Sequence, residues 1–111
     1  MVKFMGYLFS TVWFPPVKGE EVGKKFLEVM KKHPADKSIG KTVLAGALMR
    51  TKYGIKAISI FEVKEGKLEA AFDWLNEILA GYSEIEGVNS TIHTMATLVE
   101  SMALVGLKVP D

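Results

Sequence analysis

Two histidines and a string that resembles a phosphate loop are the parts of this 111-residue chain whose residue types and spacing could do chemistry. His93 lies in "VNSTIHTM", where alternation puts Asn89, Thr91, His93 and Met95 on one face of a strand and Val88, Ser90 and Ile92 on the other. If the apolar set packs under helices, His93 and Asn89 turn toward an open sheet face. An imidazole there titrates near neutrality and could serve as a general base or a ligand contact; the alternative is a hydrogen-bonded histidine at a subunit contact. His33 precedes Pro34 at the end of a helical stretch, where favourable contact with the helix C-terminus accounts for it. Two histidines so far apart, in a chain without cysteine, do not suggest a metal site, and neither metal nor cofactor is expected.

The phosphate-loop candidate is "ADKSIGKT", Ala35 to Thr42, with alanine in place of the first glycine. A working phosphate loop takes the chain from a buried strand into a helix, so that backbone N–H groups and the helix dipole converge on phosphate. Here a charged helical segment precedes the loop and a strand-like run follows it, so Lys41 is not expected to hold nucleotide. Glu69, Asp73 and Glu77 form an acidic row, read as a solvated face complementary to lysines of the neighbouring helix. Asn89-Ser90-Thr91 has the form of a glycosylation site but is expected to be silent, given a cytoplasmic reading of the chain.

The elements that must position these residues begin with "MVKFMGYLFSTVWFPP". Its apolar run, Phe4 to Phe14, is about half the roughly 20 residues a membrane-crossing helix needs. Bulky Trp-Phe followed by Pro-Pro does not resemble a leader cleavage site. The run therefore reads as a central strand of aromatic and β-branched residues over 4–14, in a cytoplasmic protein with no membrane partner. Apolar residues make up 49% and charged residues 24%, as in a single globular domain spanning 1–111. The net charge of +1 lacks the excess of lysine and arginine that a nucleic-acid surface requires. Glutamine is absent and asparagine occurs only at positions 76 and 89, a composition of thermophilic character.

Val22, Phe26, Val29, Met30 and His33 recur at helical spacing, predicting an amphipathic helix over about 19–33 with Glu20–Lys24, Glu21–Lys25 and Glu28–Lys32 pairs outside. "TVLAGALMR" and "IKAISIFEV", joined by "TKYG", predict a hairpin. Leu68, Phe72, Leu75, Leu79 and Tyr82 mark a second helix ending near Gly81. After the strand of His93, Thr97 and Glu100 are spaced as a capping box and Gly106 stands as a stop, predicting a short closing helix. The order is β-α-β-β-α-β plus a helix: an α+β, ferredoxin-like antiparallel sheet with helices on one face.

This order of elements, the length, and "TKYGIKAISIFEV" followed by an amphipathic helix resemble the dimeric α/β-barrel group of ferredoxin-like domains. In that group two sheets face each other, and its members include cofactor-independent monooxygenases, haem-degrading enzymes and small-ligand sensors. The resemblance implies a homodimer or higher oligomer, and fold alone does not choose among the activities. Rings on the strands raise RNA stacking as an alternative, but "KYGIKAISIF" puts Ile and Ala where the stacking aromatics of an RNA-recognition domain belong. Two functions stay open. One is an oligomeric module that binds a small apolar ligand or serves a structural role; the other is a small oxygenase-type enzyme using His93, with Asn89 or Tyr7, in an apolar cavity. A pocket is expected between the open sheet face and its partner, lined by Tyr7, Trp13, Arg50, Asn89 and His93.

Overall fold

The structure, a computed structural model, describes residues 6–108. The elements run β1 (Tyr7–Phe14), a 3₁₀ turn (Pro16–Lys18), α1 (Gly19–Lys32), β2 (Gly40–Thr51), β3 (Gly54–Val63), α2 (Leu68–Tyr82), β4 (Asn89–Met95) and α3 (Leu98–Leu104). Each element expected from the sequence is present; Phe4 and Met5 of the first predicted strand lie outside the described residues. The four strands form one antiparallel sheet in the order β2-β3-β1-β4, which leaves β1 inside and β2 and β4 at the edges. This α+β arrangement is compatible with a ferredoxin-like fold.

Alternation along β1 sets the two faces of the sheet. Leu8, Ser10, Val12 and Phe14 are buried beneath the helices with Phe61 and Val63 of β3. The odd residues point the other way. Tyr7 pairs with Glu62 and Met95, Phe9 with Ile60 and His93, Thr11 with Ile58 and Thr91, and Trp13 with Lys56 and Asn89. Cross-strand partners share a face, so these residues form one surface.

The helical layer is held mainly by α2, which buries Ala71, Leu75, Ile78, Leu79 and Tyr82. Leu75, Leu79 and Tyr82 of the expected stripe are among these and Leu68 packs against the core, whereas Phe72 is 40% exposed and Ala71 takes the buried position beside it. α1 buries only Val22 and Val29 and leans on α2. At their crossing Gly81 lets the helices meet, because a Cβ there would lie 2.6 Å from Val29 Cγ1. Trp74 stacks at 4.9 Å on Phe61 and donates its Nε1–H to the carbonyls of His33 and Pro34, at 3.2 Å each, tying α2 to the end of α1. Lys25 does not pair with Glu21 but reaches Glu28 at 3.2 Å and Glu84 at 2.8 Å.

β2 is the irregular strand. Its register against β3 shifts between Thr42 and Leu44 and again between Leu44 and Ala47, and the Gly46 N–H turns to Ser59 Oγ at 2.9 Å. Gly40 starts the strand where a side chain would collide with the Glu62 carbonyl and the Phe61 ring. α3 is capped at both ends. Thr97 and Glu100 close a capping box, and Gly106, at φ 75°, leads into a bond from Leu107 N–H to the Met102 carbonyl at 2.9 Å.

Candidate functional site

The register puts four of the five expected site residues on the open face of the sheet. Trp13 and Asn89 pair at one end of β1 and Tyr7 lies at the other beside Met95, with His93 opposite Phe9 between them. The register separates Arg50 from this group. Arg50 pairs with Ile55, which pairs with Phe14, so it belongs to the helix-bearing side, at the exposed end of β2. Nothing in the non-alternating run "TVLAGALMR" announces which face Arg50 takes, and a one-residue difference moves a side chain across the sheet.

The chemistry available on the open face is modest. His93 is exposed, directly across β1 from the Phe9 ring. Lys56 Nζ stands 4.8 Å from the Trp13 ring centre, a cation–π contact that puts a charge at one end of the apolar ground. At the other end Lys41 Nζ and Glu62 Oε2 are 3.6 Å apart, next to Tyr7. The centre is aromatic and aliphatic, the margins are charged, and Thr11 is buried among its neighbours.

Elsewhere the candidate groups are engaged structurally. His33 caps α1, with Nδ1 3.3 Å from Glu77 Oε2, so one member of the acidic row on α2 meets the first helix through a histidine rather than a lysine. Among the described residues no cluster of three histidine or acidic side chains is arranged for a metal ion. In the phosphate-loop-like string, Ser38 donates its N–H and its hydroxyl to Asp36 Oδ1 at 2.8 and 2.6 Å, holding that carboxyl below its ordinary range. Gly40 then opens a strand, so the loop has no following helix to aim at phosphate.

Sequence reasoning missed a second feature, on the other side of the sheet. Because α1 leans on α2, the helical side of β2 is left uncovered, and a groove of about 360 Å³ runs between α1 and β2. Phe26 and Met30 form one wall, Leu44 and Leu48 the other, and Val12, Ala57 and Phe61 its floor. Phe26 is 40% and Leu48 68% exposed. Tyr82 faces the same space from α2, and burial pushes its hydroxyl up to about 12. The exposure of Phe26, apolar on an amphipathic helix, is the one trace the groove leaves in sequence, and it emerges only once the position of α1 is known. Compared with family models, with curated proteins and with solved structures, the chain matches none.

Proposed function

We propose that the protein is a self-associating binding module of the cytoplasm, whose open sheet face pairs with a second copy and holds a small apolar ligand between the two sheets. The observation that carries this reading is the continuity of Tyr7, Phe9, Trp13, Ile58, Ile60 and Met95 on a face that bears no helix. Half-buried apolar side chains on a face without a helix, rimmed by charge, suit a surface that meets a partner. An apolar space with a few orienting polar groups also suits a small ligand, and Tyr7, Asn89 and His93 supply such groups. No helix among the described residues is long and apolar enough to cross a membrane.

Phe9→Glu tests the pairing. It places a charge at the centre of the face while leaving the core of Leu8, Val12 and Phe14 untouched. Sedimentation equilibrium should find the wild-type chain self-associated and the folded variant in a smaller assembly. A wild-type monomer at micromolar concentration would overturn the reading.

The second reading, an oxygenase-type enzyme, rests on the position of His93 opposite Phe9, an imidazole on apolar ground. It requires His93→Ala to abolish turnover or ligand retention while the dimer and its melting temperature persist. Native mass spectrometry of the purified protein supplies the ligand for that comparison.

A further inference from the structure

We propose that α3 is an exchange arm that docks in the α1–β2 groove of a second copy, each protomer of a two-fold dimer giving its arm and receiving its partner's. The arm is built to exist without its own domain. α3 makes no more than marginal contact with any other element, yet carries a capping box at one end and a glycine-terminated C-cap at the other. A seven-residue helix is too short to persist in water on propensity alone, so such caps serve a helix that acquires its packing elsewhere. Leu98, Met102 and Val105 form a stripe at i, i+4 and i+7, and Leu98, Val99, Leu104 and Val105 are 64 to 84% exposed. The radius of gyration, 15.7 Å against about 13 Å for a compact domain of this length, agrees with an element standing off the sheet.

The groove has the matching chemistry. Its walls are Phe26, Met30, Leu44 and Leu48, and its lining also holds the hydroxyls of Ser10, Thr42, Ser59 and Tyr82. Apolar walls of this kind match the apolar face of a short helix through side-chain contact alone.

The protomer's own arm lies away from its own groove: α3 follows β4, at the opposite edge of the sheet from β2, and makes no more than marginal contact with α1 or β2. Serving another copy, the arm makes a reciprocal two-fold contact distinct from the open-face one. Residues 98–107 and the ten groove residues contributed by α1 and β2 give about 20 per protomer, the number found on each side of a stable dimer interface.

The chain has no cysteine, so single cysteines report the contact directly. Val105→Cys in the arm and Leu48→Cys in the groove are prepared separately, mixed, allowed to exchange and mildly oxidised. Both positions are exposed, so each variant should fold as wild type. The expected result is a mixed disulfide dimer at several-fold higher yield than either variant gives alone, reduced at least fivefold when Leu98→Asp is added to the arm. A mixed yield no higher than that of the single variants overturns the proposal. So does an intramolecular disulfide in the double variant at high dilution. Stoichiometric binding of anilinonaphthalene sulfonate to the wild-type dimer, lost in Leu48→Glu, would assign the groove to a small ligand and also overturn it. Open-face pairing is tested separately by Phe9→Glu, so failure of one contact is distinguishable from failure of the other.

Discussion

The two halves of the helical side are built from the same kinds of residue and finished differently. Beneath α2, Leu8, Ala71, Leu75 and Tyr82 are buried, with the Phe61 and Trp74 rings in tilted contact where this core borders the groove. Beside α1, residues just as apolar stand half open to solvent over β2. Hydrophobicity alone does not decide burial here; lateral placement does. Gly81 draws α1 toward α2, and the width of a four-stranded sheet leaves the far strand uncovered. A closed half stabilises the chain, and an open half with a matching free helix gives it a surface for association.

The largest loss should come from the closed half. Leu8 is 0% exposed, and Leu8→Ala should destabilise by about 3–4 kcal/mol in urea unfolding, through lost transfer energy and the cavity left behind. A cost under about 1 kcal/mol would mean the closed half is not closed.

Tyr82 sharpens the comparison through pH, since it joins the core to the groove. Its folded value, about 12, lies above the 10.0 of an ordinary tyrosine. The neutral hydroxyl is the stabilised form, so its contribution is complete below pH 10 and is lost as pH rises from about 10 to 12, on the order of 2 kcal/mol. Tyr82→Phe should flatten alkaline unfolding in that window. An unchanged profile would break the assignment.

Gly81→Ala tests what sets the position of α1. Its methyl would press on Val29, offset in part by the better helix propensity of alanine, for a net loss of about 1 kcal/mol in thermal unfolding. Leu48→Ala, in the open half, should change stability of the monomer by less than about 0.5 kcal/mol. A loss comparable to that of Leu8→Ala would show the groove to be core.

The smallest effect is assigned to Lys25→Met. Hydrogen bonds that Lys25 donates to Glu84 and then to Glu28 raise its ammonium, and the one accepted from Lys25 lowers the Glu84 carboxyl. The lowered carboxyl contributes at neutral pH and loses its contribution as pH falls through the acid range; the raised ammonium loses its contribution only in strong alkali. The carboxylates of Glu28 and Glu84 stand in solvent and methionine keeps the covered stem of Lys25, so the melting temperature should shift barely above measurement error at neutral pH. A shift as large as that of Gly81→Ala would break the comparison.

Periodicity made the element order legible, because each helix and most strands bury a face whose spacing survives in sequence. Val22 and Val29 on α1, and Leu75, Leu79 and Tyr82 on α2, were readable for that reason, as was the closing helix from Thr97, Glu100 and Gly106. The face of His93 relative to Tyr7 and Trp13 followed from alternation in β1 and β4. Arg50 and the groove were not readable. β2 does not alternate, its register breaks twice, and the sideways position of a helix over a sheet is set by contacts between residues distant in the chain. Phe72 shows the same limit on a smaller scale, since Ala71 and Phe72 both fit the helical spacing and only the packing makes Ala71 the buried one.

The broken register of β2 also bears on how the protein avoids uncontrolled assembly. An edge strand of regular pitch offers an unbroken row of amide and carbonyl groups on which another chain can grow a fibril. Here two irregularities interrupt the row midway, and the Gly46 amide is turned inward to Ser59. A protein with apolar side chains on both faces of its sheet can thus meet other copies through side chains, in assemblies that close, while its edge is a poor template for open-ended growth.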